Sequence, residues 1–186
     1  MQLPSCFKAY DIRGKLDVEI TEEFAFKLGI AFAEQLNAKK VAIGADSRLS
    51  SPALKTALAK GLCRQGVEVI DLGLCGTEEV YFATQYYHLD GGIMVTASHN
   101  PADYNGFKLV GENAAPVSRD NGFIEIGEAM LKPLPDPAFQ RGLVTTLHDK
   151  STFCEFLLAF LSPLIQAVQQ STQCVRPIKI VANVAS

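Results

Sequence analysis

Apolar residues recur along this chain at two different periods, and the alternation of those periods sketches a fold. Phe24, Leu28, Ala31, Phe32 and Leu36 fall three to four residues apart, which predicts a helix with one buried stripe. Thr21 suits its N-cap, Glu22 and Glu23 suit its first turn, and it should run to about Asn37. The short apolar run "KKVAIGAD" then reads as a strand, and "SPALKTALAKGLCRQG" as a helix with Pro52 near its start and Gly66 past its end. "VEVIDLG", "TEEVYFATQYYH" and "GGIMVTAS" continue as strand, helix and strand.

Repeated β-α-β passages imply a largely parallel sheet with helices over both faces. Asn105-Gly106 is a reversal signal, because both residues tolerate positive φ. It predicts that "GFKLV" returns antiparallel and makes the sheet mixed. Asp120 is the expected cap of a further helix through about Leu131. Three prolines in "KPLPDP" then mark an exposed connection. Beyond it the pattern predicts a short strand in "GLVTTLH", an apolar helix from about Ser151 to Gln169, and a strand in "IKIVANV". The expected architecture is α/β: a first domain over residues 1–149 with a mixed, mostly parallel sheet, and the opening of a second α/β domain over 150–186.

Composition narrows the class. The chain has 186 residues, 48% of them hydrophobic and 20% charged, with a formal net charge of -3. That is ordinary globular composition without the basic face that nucleic acid requires. A small anionic substrate stays compatible, since a few local cations outweigh a mildly acidic whole. The five cysteines are scattered and never form C-x-x-C, so the expectation is a reducing cytoplasm rather than a disulfide framework or a zinc site. "MQLPSCFKAYDIRG" has no signal-peptide core. The apolar run from Phe153 to Val168 is interrupted by Glu155 and Pro163 and is shorter than a membrane span, so it is expected to be a buried helix.

The chemistry concentrates in "VTASHNPADYNGFKLV". In an open α/β sheet ligands gather at the carboxyl ends of strands, and Ser98 stands at such an end with His99 and Asn100 beside it. Pro101 pushes Asn100 towards extended backbone and keeps the loop open. Lys108 alternates with Phe107 and Leu109 and therefore points away from their apolar face. Spacing alone leaves two readings, a phosphate-handling loop or a turn with a solvated lysine. In "CFKAYDIRG", Phe7, Ala9 and Ile12 are expected to anchor an N-terminal strand, with Arg13 emerging before a turn at Gly14. A guanidinium beside a loop serine suits a phosphate, although a surface arginine is the commoner case. In "GADSR", Arg48 is assigned to structural pairing with Asp46 rather than to an anion. His88, His99 and His148 have no metal-ligand spacing.

"TASHNP" followed by "DYNGFK", with "KAYDIRG" upstream, resembles the first domain of the α-D-phosphohexomutases. "GTEEVYFAT" is similar to the bacterial phosphomannomutase branch, which supplies GDP-mannose precursors. The resemblance runs the length of the chain. It implies that Ser98 carries a phosphate and passes it to a sugar monophosphate, that a hexose 1,6-bisphosphate turns over in the cleft, and that its other phosphate returns to the serine. It also implies Mg²⁺ at the Ser98 phosphate, charge stabilisation by Arg13 and Lys108, and proton movement by Lys108, with Tyr10, His99 and Asn100 shaping the loop. His99 counts there with the catalytic residues, and Tyr10 and Asn100 with the phosphate-binding ones. Mannose phosphates are the expected substrates. Phosphoglucomutase of the same superfamily and a non-catalytic, phosphate-carrying or interaction module are the alternatives. Family members have three further domains with the aspartate-rich metal loop. The 186 residues alone are therefore expected to be inactive as a mutase, to bind Mg²⁺ weakly, and to self-associate through residues after about 150.

Overall fold

A computed structural model describes residues 3–134, 136–138 and 140–171, with side chains through 167. It divides into two compact units, Met1–His148 and Asp149–Ser186. The first unit is built on six strands, β1 (Ile12–Lys15), β2 (Lys40–Ala45), β3 (Glu68–Leu74), β4 (Gly91–Val95), β5 (Tyr104–Gly111) and β6 (Val144–Thr146). Among the described residues four α-helices accompany them, α1 (Glu22–Gln35), α2 (Ser51–Arg64), α3 (Thr77–Tyr86) and α4 (Phe123–Met130). The sheet order is β1-β5-β4-β2-β3-β6. β2 pairs in parallel with β3 and β4, and β3 with β6, whereas β5 is antiparallel to both β1 and β4. The sheet is thus mixed and mostly parallel, as the alternation of periods predicts.

Strand pleating sorts the core into two layers. Val41, Ile43, Ile93, Val95, Phe107 and Leu109 face α1, α2 and α4. Residues of opposite parity, such as Ala42 and Met94, face α3 through Val80 and Ala83. Burying each large side chain contributes roughly 1.5–3 kcal/mol, so the first layer dominates stability. Helix α1 begins at its expected cap, where the Thr21 hydroxyl accepts a 3.0 Å bond from the Phe24 N–H. Gly29 and Gly61 let α1 and α2 approach closely. A methyl group at Gly61 would meet the Phe26 carbonyl oxygen at 2.1 Å.

Several local expectations are corrected. The reversal after β4 is not at Asn105-Gly106. Both residues lie inside β5, neither has positive φ, and the chain turns earlier, across 96–103. Asn105 is instead a buried tie, its Nδ2 donating to Ser50 Oγ at 2.8 Å and to Ser51 Oγ at 3.0 Å. Gly106 is required by the neighbouring strand, since a Cβ there would lie 2.0 Å from the Ile12 carbonyl oxygen. Helix α4 starts after Gly122, whose φ of 96° forms its entry, so Asp120 is not the cap. Phe7 and Ile12 are buried as expected, but Ala9 is exposed, and Gly14 continues β1 without a turn.

In the second unit the described element is α5 (Ser151–Ser171), which runs through Pro163. Its apolar side chains are exposed rather than buried, Phe160 at 66% and Phe156, Leu158, Leu164 and Ile165 similarly open. Periodicity specified the helix but not a partner for its apolar residues. The strand expected in "IKIVANV" lies outside the described residues. Among the described residues no helix is long and apolar enough to cross a membrane.

Candidate active site

Strand β2 sits between β3 and β4, so the connections that follow β2 and β4 leave from neighbouring carboxyl ends and in different directions. Such a switch point forms a crevice in open α/β sheets. Here the two connections are bonded to one another. Arg48, from the β2 side, donates through Nη2 to the carbonyl oxygens of Ser98 at 2.9 Å and Asn100 at 2.7 Å. Through Nη1 it donates to those of Pro101 at 2.7 Å and Tyr104 at 3.1 Å. Its Nε lies 3.3 Å from Asp46 Oδ2.

Asp46 also reaches the other flank of Ser98. Thr96 Oγ1 donates to Asp46 Oδ2 at 2.7 Å and accepts from the Ser98 N–H at 2.9 Å. Asp46 Oδ1 accepts from Ser51 Oγ at 2.6 Å. Asn100 closes the loop on itself, its Nδ2 donating to the Ala97 carbonyl at 2.7 Å. Within this net Ser98 is exposed and has a φ of 53°, a left-handed conformation that costs a non-glycine residue on the order of 1 kcal/mol or more. Five other described non-glycine residues share a positive φ, but here the conformation is held by bonds to the peptide groups on both sides of an exposed serine.

The two cations predicted for the site share one carboxylate. Arg13 on β1 stands opposite Gly106 on β5, and Lys108 lies two residues along the same face. Asp11, 7% exposed, receives Arg13 Nε at 2.9 Å on Oδ1 and Lys108 Nζ at 3.4 Å on Oδ2. Their face is the α3 layer. There the Tyr81 phenol is held above its ordinary range, first by burial and second by the Asp11 carboxylate. Two cations against one anion leave a local excess of positive charge beside a serine loop, which suits a phosphate dianion.

Each predicted residue can now be placed. Ser98, His99 and Asn100 occupy one loop, with His99 exposed, while Arg13 and Lys108 meet at Asp11 on the adjoining strands. Tyr10 lies at the tip between Phe7 and Ile12, 81% exposed. Asn100 spends its amide within the loop. Arg48 does pair with Asp46, but it also gathers four carbonyls, a role that no residue spacing announced. Asp11 and Thr96 were missed. The signal for Asp11 was its place between Lys8 and Arg13 in an otherwise apolar segment. Among the described residues no three His, Cys, Asp or Glu side chains group as a metal site. A hard cation wants about six oxygen ligands, more than the exposed Ser98 hydroxyl offers by itself.

Known proteins share the sequence and fold of this chain. Residues 4–131 match the family model described as phosphoglucomutase/phosphomannomutase, alpha/beta/alpha domain I. A phosphomannomutase of Salmonella montevideo is 46% identical over 183 residues, covering 96% of this chain and 38% of that protein. A Klebsiella pneumoniae phosphomannomutase is 50% identical over 156 residues, covering 82% of this chain and 97% of that sequence. A crystal structure of a phosphoglucomutase/phosphomannomutase family protein from Burkholderia thailandensis superposes with a TM-score of 0.77 at 31% identity, over 86% of this chain and 36% of that one. The chain thus spans about two fifths of the length of several curated relatives that it matches.

Proposed function

The chain belongs to the phosphoglucomutase/phosphomannomutase family, and from that premise we propose that it supplies the phosphoserine loop of a phosphomannomutase. The observation that carries the reading is Ser98, exposed, strained at a φ of 53°, and tied through its backbone on both sides. In this reading Ser98 carries a phosphoryl group. A hydroxyl of mannose 6-phosphate attacks the phosphorus, the bond from phosphorus to Ser98 Oγ breaks, and a hexose 1,6-bisphosphate forms. After the bisphosphate reorients, Ser98 Oγ attacks its other phosphorus, and mannose 1-phosphate leaves.

The residues on the page suit these steps. Phosphoryl transfer depends on positioning and on spreading charge from the equatorial oxygens. The Arg13 fork and the Lys108 ammonium are the nearby cations, with Asp11 keeping both in register. The proton released by the attacking hydroxyl goes to a neutral base, for which the His99 imidazole is the candidate while Lys108 stays an ammonium and stabilises charge. Tyr10, open at the tip between Phe7 and Ile12, and Asn100 border the space a phosphosugar would occupy. Mg²⁺ bound at the Ser98 phosphate would withdraw charge from its oxygens. The remaining ligands and the sugar-reading residues would come from the further length that the longer relatives have, so net turnover is assigned to that length of chain and not to these residues alone.

The test is a charge-and-chase experiment. Chain labelled on Ser98 by radioactive glucose 1,6-bisphosphate is chased with unlabelled mannose 6-phosphate or glucose 6-phosphate. Loss of label to either ester, with labelled bisphosphate appearing, supports the carrier role, and loss to water alone would contradict it. Lys108→Ala should slow transfer by the equivalent of about 3 kcal/mol, in line with other preorganised donors. Arg13→Lys, which keeps the charge but not the fork, should also slow it clearly.

A further inference from the structure

We propose that Arg48 is a positioning residue for phosphoryl transfer, holding the Ser98 backbone in its left-handed conformation through a closed ring of bonds anchored on Asp46. The inference takes Ser98 as the phosphoryl carrier for its catalytic consequence, but its structural half stands on geometry alone. The ring can be traced atom by atom. The Ser98 N–H donates to Thr96 Oγ1 at 2.9 Å, and that hydroxyl donates to Asp46 Oδ2 at 2.7 Å. The same oxygen lies 3.3 Å from Arg48 Nε, and Arg48 Nη2 returns to the Ser98 carbonyl at 2.9 Å. Both peptide groups that flank Ser98 are therefore fixed by one carboxylate.

Arg48 has further work in the same loop. Three more carbonyls, of Asn100, Pro101 and Tyr104, point at its guanidinium from 2.7 to 3.1 Å. Four carbonyl oxygens converging without a cation would repel one another, so the loop conformation and the cation imply each other. Only a planar fork with five N–H donors reaches four acceptors and a carboxylate at once. A lysine ammonium is one point with three donors and cannot span them. With its side chain only 15% exposed, Arg48 is also screened from competing water. Its carbonyl contacts start at Ser98 and end at Tyr104, where β5 begins, so Arg48 also fixes the length of the turn.

The experiment uses the 186-residue chain and its Arg48→Lys and Arg48→Ala variants. Hydrogen exchange of the amides across 97–104, the melting temperature, and the rate of Ser98 labelling by glucose 1,6-bisphosphate are measured together. The account expects Arg48→Lys to melt near the wild type, to exchange loop amides at least tenfold faster, and to label at least tenfold more slowly. Added guanidinium ion should restore labelling to Arg48→Ala, while methylammonium should not. If Arg48→Ala does not fold, the lysine variant decides the matter. Wild-type exchange and labelling in Arg48→Lys would overturn the inference, because charge pairing with Asp46 would then suffice. Slower labelling with unchanged loop exchange would overturn it as well. A wild type that takes no label would count against the carrier role of Ser98, and the exchange comparison would still decide the role of Arg48.

Discussion

Helices α1 and α5 carry the same kinds of apolar side chain at similar spacing, yet one is sealed and the other is open. Phe32 on α1 is 0% exposed and Phe160 on α5 is 66% exposed. The difference lies in what each helix meets. Helix α1 packs against α2 through Gly29 and Gly61, and its Phe32 ring reaches β4, where a Cβ at Gly91 would lie 2.7 Å from it. Among the described side chains of α5 no comparable set is buried. A hydrophobic stripe therefore specifies a helix and a demand for cover, while the cover itself comes from elsewhere in the chain or from another molecule.

The largest expected effect tests that contrast directly. Phe32→Ala should lower unfolding free energy by about 3–5 kcal/mol in urea titration, the cost of an aromatic-sized cavity in a packed core. Phe160→Ala should change it by less than about 0.5 kcal/mol, as an exposed substitution does. Equal losses would show that α5 is covered in solution. Next in size is association. The uncovered face predicts that the chain sediments above monomer mass at tens of micromolar, roughly the range where weak apolar contacts act. Phe156→Glu with Phe160→Glu should return it to monomer, and a wild-type monomer would remove the contrast's main consequence.

A smaller, chemical contrast separates the thiols. Burial first, and the Glu19 carboxylate second, push the Cys6 thiol up from its ordinary 9.0 to about 11. Cys154 on α5 is exposed. Iodoacetamide at neutral pH should therefore modify Cys154 well before Cys6, since the thiolate is the reacting form. Linkage gives the sign for stability. The Cys6 contribution is complete below pH 9, where the unfolded thiol is also protonated, and falls as pH rises towards about 11. Cys6→Ser should flatten that alkaline decline, and an unchanged pH profile would refute the assignment to Cys6.

What the sequence made legible follows the same division between local pattern and tertiary partner. Thr21 as a cap, the alternation of strands and helices, and Ser98 at the end of β4 are local properties, and each is where it was expected. Asn105-Gly106 misled because a turn signal was satisfied by tertiary needs instead. Asn105 ties β5 to the start of α2, and Gly106 admits β1. Asp11 gave a local signal beside Arg13 but not its bond to Lys108, and Thr96 and the four-carbonyl grip of Arg48 were not legible. Their partners lie as far as 97 residues away in sequence, and carbonyl groups carry no residue identity. The exposure of α5 departs from the buried helix expected of its apolar run, yet it is what the expected self-association through residues after about 150 requires; periodicity alone says nothing about what an apolar face meets.

The central claim is that the strained, bonded loop around Ser98 exists to carry a phosphoryl group. Its most direct test is phosphopeptide mapping of the chain after incubation with radiolabelled hexose 1,6-bisphosphate, beside a Ser98→Ala control that removes one hydroxyl from an exposed loop and leaves the core intact. The account predicts stoichiometric label on the peptide spanning the loop after β4, assigned to Ser98, and none in the control. Label on Thr96 or Ser118, or equal label in Ser98→Ala, would contradict it.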